Sequence, residues 1–188
     1  MNIYFCGMIG SGKTTIGIKI AEELGLHFFD LDREMDSILG YSFHELVTEQ
    51  GWLAFRELEY SICKDFARRE NAVICLGGGT VRYEWNMDVL RGCGVVFLLE
   101  ASIEELVKRV SLADRPRVNP GTTLKEDITM MWEKWQDKYY GAADIIYKTD
   151  RKTVDEEVAE IKNIILTDPR FGALNVNAVT ATHLTAGN

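Results

Sequence analysis

The chain has 188 residues, 46% of them hydrophobic, with a net charge of −8 and a pI near 5.0. That size suggests one domain with a real core, and the acidic balance argues against a general nucleic-acid binder, which needs a basic face to displace counterions. With no run of ~18 apolar residues and no basic leader, no membrane partner is expected and the cytoplasm is the expected location.

Residues 2–6 read as a buried strand, and the stretch GMIGSGKTT follows at once from Gly7 to Thr15. Its Gly-x-x-x-x-Gly-Lys-Thr spacing, between a strand and a helix, is the context of a phosphate-binding loop. The glycines let backbone N–H groups converge on phosphate oxygens, and the helix adds its positive end. Lys13 can reach the β- and γ-phosphates and Thr14 can offer its hydroxyl to Mg²⁺. Gly7, Gly10, Ser11, Gly12, Lys13, Thr14 and Thr15 are thus the expected nucleotide contacts.

Ile16, Ile20 and Leu24 then repeat at helical spacing up to Gly25. A second short strand is expected at 27–29, followed by Asp30 and Asp32. Two carboxylates two residues apart on an extended segment share one side, at the carboxyl end of a strand where ligands gather. One could help hold Mg²⁺ while the other takes a proton from an acceptor hydroxyl. Equally, Asp32 could simply cap a helix over 33–39.

Ser42 with Glu45, Ser102 with Glu105, Thr123 with Glu126 and Thr153 with Glu156 have capping-box spacing and mark helix starts. Phe55, Leu58, Ile62 and Phe66 stripe one long helix. Within it, Arg56 could pair with an acidic substrate group or with a surface neighbour. The runs at 72–76 and 94–100 are nearly continuous apolar strands, as in sheets covered on both faces, and 144–149 reads as a fifth. Gly77, Gly78 and Gly79 could let a substrate approach the backbone, or form a plain turn. Strands alternating with helices imply a parallel sheet with helices on both sides.

Residues 111–127 hold two of the three prolines and many polar groups, so a mobile lid is expected there. From Thr167 onward no strong period is visible, and an accessory tail is expected beyond a domain of residues 1–166. The four cysteines, Cys6, Cys63, Cys75 and Cys93, sit in apolar contexts and read as reduced core thiols. No Asn-Lys-x-Asp guanine motif is present and the chain is short for a mechanical ATPase, whereas a kinase needs a lid and a second pocket.

Taken together, GMIGSGKTT, FFDLD, GWLAFRELE, CLGGGTV and ADRPR resemble the shikimate kinase family in order and spacing, over roughly residues 2–165. The resemblance implies a three-layer P-loop kinase fold with a five-stranded parallel sheet and a mobile lid at about 111–124. It implies transfer of the ATP γ-phosphoryl group to the shikimate 3-hydroxyl with ATP and Mg²⁺, and a monomer is expected. Lys13 and Thr14 would hold phosphate and metal, and Asp30 would support the metal through water. Asp32 would bind the acceptor hydroxyl as base, and Arg56 would take the substrate carboxylate beside Gly78 and Gly79. Arg115 would be the lid arginine that neutralises the transferring phosphate, with Arg109 and Arg151 at the adenine.

One departure stands out. The family carries Arg-x-x-x-Tyr-x-x-x-Ala-Asp before its last strand, and that arginine also grips the carboxylate. Here Tyr139, Ala143 and Asp144 match but Trp135 replaces the arginine, and Trp52 stands where glutamate is common. Lys138, three residues on, is expected on the same helix face as Trp135 and so to supply a weaker point charge, whereas Lys134 points about 100° away. A related hydroxylated acid or polyol such as gluconate, and a non-catalytic nucleotide-binding homologue, are the alternatives.

Overall fold

In a computed structural model of the chain, five strands form one parallel sheet: β1 (Asn2–Cys6), β2 (His27–Asp30), β3 (Ala72–Cys75), β4 (Gly94–Glu100) and β5 (Ile145–Lys148), in the order β2-β3-β1-β4-β5. The structure describes residues 1–111, 118–119 and 121–176. Residues 112–117 and 120 of the expected lid, Arg115 among them, and the chain beyond 176 lie outside the described residues.

Alternation along the strands splits the core into two layers. Tyr4, Cys6, Ile74 and Leu98 face one side, packed by α2 (Leu31–Leu39), α3 (Phe43–Ala67), α4 (Glu84–Leu90), α5 (Ile103–Val110) and α6 (Leu124–Ala142). Ile3, Phe5, Val73 and Phe97 face the other, packed by α1 (Lys13–Leu24) and α7 (Val154–Thr167). The expected three-layer arrangement is therefore what forms. Among the described residues no helix is long and apolar enough to cross a membrane.

Several local expectations shift. Asp30, not Asp32, caps α2: its carboxylate accepts from the Arg33 N–H at 3.4 Å, and the helix starts earlier because Leu31 is fully buried beneath it. Thr123 and Thr153 form complete capping boxes with Glu126 and Glu156. At Ser102 only half a box forms, since the Glu105 carboxylate turns to Arg109 at 2.9 Å. The α3 helix breaks at Gly51, whose φ of 84° and ψ of 176° reset its direction before Arg56. Packing also continues past residue 166: Phe171 stacks on Phe97 with centroids 5.8 Å apart, and Leu174 is buried beside it.

Candidate active site

A continuous cavity of about 750 Å³ runs along the carboxyl ends of the strands, from the phosphate loop to the turn after β3. One half is built by the loop itself. Gly12 adopts a left-handed conformation (φ 96°) that only glycine takes without strain, and it turns the chain into α1. A β-carbon at Gly7 would lie 2.5 Å from the Leu99 carbonyl, so the loop packs directly on β4. Gly10, Gly12, Lys13, Thr14 and Thr15 line the cavity, while Ser11 is fully buried under the loop.

Lys13 folds back over the loop, donating to the carbonyls of Gly7 and Met8 at 3.0 Å each. Burial lowers its pKa below the usual lysine value, and the nearby carboxylates of Asp32 and Asp30 oppose that shift. An ammonium so desolvated is poised to gain from a phosphate's negative charge. Thr14 Oγ1 donates to Asp30 Oδ2 at 2.7 Å, so the hydroxyl and carboxylate expected at a metal are already in contact.

At the outer end of this half, Arg109 lines the cavity. It is held by Glu105 at 2.9 Å and by the Thr149 hydroxyl and carbonyl at 3.0 and 2.9 Å. Arg151 does not join it. It is exposed with a φ of 60°, and the cavity wall there is Lys152, Thr153 and Glu157. The turn before α7 directs residue 151 away from the cavity, which corrects the expected pair of arginines.

The other half is assembled from distant segments. Asp32, on the first turn of α2, lines it, and a β-carbon at Gly77 would meet Asp32 Oδ1 at 3.1 Å. Arg56 Nη1 is paired with Glu59 Oε2 at 2.7 Å, while Nη2 would meet a β-carbon at Gly79 at 3.2 Å. Arg56 is therefore no surface ion pair: its side chain is largely buried, stacked at 4.4 Å on Tyr83 and 4.6 Å on Phe55. Trp52 lines the same wall, 5.5 Å from the Arg56 guanidinium.

Three residues of this half have contacts to which the sequence assigned no role. Glu59 is almost fully buried, and it takes hydrogen bonds from the Thr80 hydroxyl at 2.8 Å and Asn86 Nδ2 at 3.1 Å as well as from Arg56. Tyr139 donates its hydroxyl to the Gly78 carbonyl, pinning the glycine turn, and burial raises its pKa. Arg82, at the end of the 3-10 turn Thr80–Arg82, lines the same cavity as Arg56. The i,i+3 spacing of Arg56 and Glu59 was the available signal for the first, but no periodicity marks Arg82.

Trp135 does not itself line the cavity. Its ring lies 5.4 Å from the Arg82 guanidinium, with Lys134 Nζ 5.1 Å from the same ring. Lys138 is not available as its substitute cation. Its Nζ pairs with Glu84 at 3.4 Å, and it borders a separate hollow beside α4. Glu84, at the start of α4, pairs with the ammonium, so Lys138 borders that hollow and not the cavity where its contact with the acceptor is expected.

A family model described as shikimate kinase matches residues 9–166. The shikimate kinase of Clostridium botulinum (strain Eklund 17B / Type B) is 35% identical over 164 residues, covering 87% of this chain and 96% of that one. Two solved structures are similar throughout. The shikimate kinase from Acinetobacter baumannii in complex with shikimate has a TM-score of 0.81 at 26% identity, covering 88% of this chain and 92% of its own. The shikimate kinase from Aquifex aeolicus has a TM-score of 0.78 at 27% identity, covering 92% and 100%.

Proposed function

The chain belongs to the shikimate kinase family and is an ATP-dependent phosphotransferase acting on the alcohol group of shikimate, and from that premise we propose how its own residues carry the transfer. The observation that carries this is the continuity of the cavity, with Lys13 and Asp32 where its two halves meet. Donor and acceptor bound in the two halves would present the γ-phosphorus and a hydroxyl to each other, and most of the catalysis is then positioning and charge neutralisation.

Lys13 straightens from the loop carbonyls onto the β- and γ-phosphates, joined by the loop N–H groups and the start of α1. The acceptor's 3-hydroxyl oxygen attacks the γ-phosphorus and the bond to the bridging oxygen of ADP breaks. Asp32 takes the hydroxyl proton. Arg56, fixed by Glu59, holds the acceptor carboxylate beside Gly78 and Gly79. Arg115, placed here by the Asp-Arg-Pro motif alone, adds positive charge as the phosphoryl group moves. Arg109 flanks the base.

Thr14 and Asp30 fit Mg²⁺ because a hydroxyl and a carboxylate in contact are hard oxygen donors beside a phosphate loop, and the ion would screen phosphate charge there. We also propose a cytoplasmic monomer. One chain supplies both halves of the cavity, and its four cysteines are free thiols. The test is a coupled assay for ADP across shikimate, quinate, gluconate and a simple polyol. Turnover strongly favouring shikimate is expected, and preference for gluconate or the polyol would overturn the proposed acceptor.

A further inference from the structure

The cations around the cavity are not equivalent. Arg56 is neutralised by Glu59, Arg109 by Glu105 and Lys152 by Glu160. Arg82 lines the same cavity, yet among the described residues no carboxylate lies within ion-pairing distance of it. Its one hydrogen bond there is from Nη2 to the Tyr139 hydroxyl at 3.5 Å, the outer limit of such a bond. Its Nε, like that of Arg56, is buried with no hydrogen-bond partner among the described residues.

A guanidinium withdrawn from water costs free energy unless something anionic meets it. Among the described residues the fork is positioned with no anionic partner. Tyr139 spends its proton on the Gly78 carbonyl, so its oxygen offers Arg82 a lone pair rather than a competing charge. The Trp135 face supports the planar group at 5.4 Å without neutralising it. Arg82 and Arg56 border one chamber from the turn after β3 and from α3, on either side of the glycine run.

We infer that Arg82 is the second carboxylate-binding residue of the acceptor site, held against the Trp135 ring, so that the charge absent at position 135 is supplied by the turn that follows the glycines. This rests on the shikimate assignment above. The acceptor carboxylate would then lie between two guanidinium groups, one balanced by Glu59 and one balanced only by the ligand. Trp135 is a positioning residue that never touches the acceptor.

The experiment compares Arg82→Met and Arg82→Lys with wild type, using shikimate and its uncharged methyl ester as acceptors. Loss of one charged hydrogen bond, ~2 kcal/mol, corresponds to about a 30-fold rise in KM. For Arg82→Met that rise is expected with shikimate, while KM for the ester and for ATP stays unchanged. Arg82→Lys, which keeps charge and bulk, should recover part of the loss. Equal losses on acid and ester would overturn the inference, because Arg82 would then be packing the chamber. An unchanged shikimate KM in Arg82→Met would overturn it too and leave the shikimate assignment standing. If wild type itself phosphorylates the ester as well as the acid, or neither, the shikimate assignment fails and takes the inference with it.

Discussion

The two halves of the cavity are built on different principles. The donor half comes largely from one uninterrupted stretch, Gly7 to Thr15, which runs from the loop into α1, with Asp30 touching Thr14 from the next strand. The acceptor half draws Asp32 from α2, Arg56 and Glu59 from α3, Gly77 to Arg82 from the turn after β3, and Tyr139 from α6. A loop fixed by its own backbone tolerates little rearrangement. A chamber of side chains from four segments can lose a charge on one and supply it from another, as Trp135 and Arg82 illustrate.

Breaking the donor half should have the largest effect. Lys13→Ala is expected to lower kcat by about 10³-fold, the scale of removing a preorganised electrostatic donor, with an unchanged melting temperature. A coupled assay alongside thermal melting checks this, and near-normal turnover in a folded variant would remove Lys13 from the chemistry. Asp32→Asn sits at the junction. It should cost about 10²-fold in kcat, the lower range for a positioned base, with ATP binding retained. If ATP affinity collapses instead, Asp32 serves the metal and its role is exchanged with Asp30.

Within the acceptor half, Glu59→Gln keeps the shape but frees Arg56 from its ion pair. Shikimate KM should rise about 10-fold, the lower end for a charge-assisted contact, while KM for ATP holds. An ATP effect of equal size would mean that the network supports both halves alike. Trp135→Leu removes only the platform under Arg82. A rise in shikimate KM of about threefold is expected, matching a cation–π contact of ~0.7 kcal/mol, and that rise should vanish in an Arg82→Met background. Independent, additive effects of the two changes would separate Trp135 from Arg82.

Legibility followed the same division. The phosphate loop, its helix and the buried strands were readable because their constraints are local: glycine spacing, an apolar run, a turn. Asp30 and Asp32 were both placed at the site from their two-residue spacing, but which of them capped α2 depended on the burial of Leu31, a tertiary fact. Lys138 was assigned by helix-face arithmetic. That arithmetic knows nothing of Glu84, 54 positions earlier in the chain, which captures the ammonium. Arg82 lies three residues past Gly79 on a 3-10 turn, too short to show any period, and only the folded chain brings it to the cavity that Arg56 lines.

Arg109 joins parts of the chain that are far apart in sequence. Its guanidinium bonds Glu105 on its own helix, Thr149 at the end of β5 and the Gly10 carbonyl in the phosphate loop at 3.4 Å. The surface it offers a nucleotide therefore exists only in the folded chain, and the unfolded chain has nothing equivalent. By mass action, each tenfold excess of free ATP over its dissociation constant adds ~1.4 kcal/mol to the folded state. A bound nucleotide would thus stabilise the fold as well as serve as substrate, and its removal would take that contribution away.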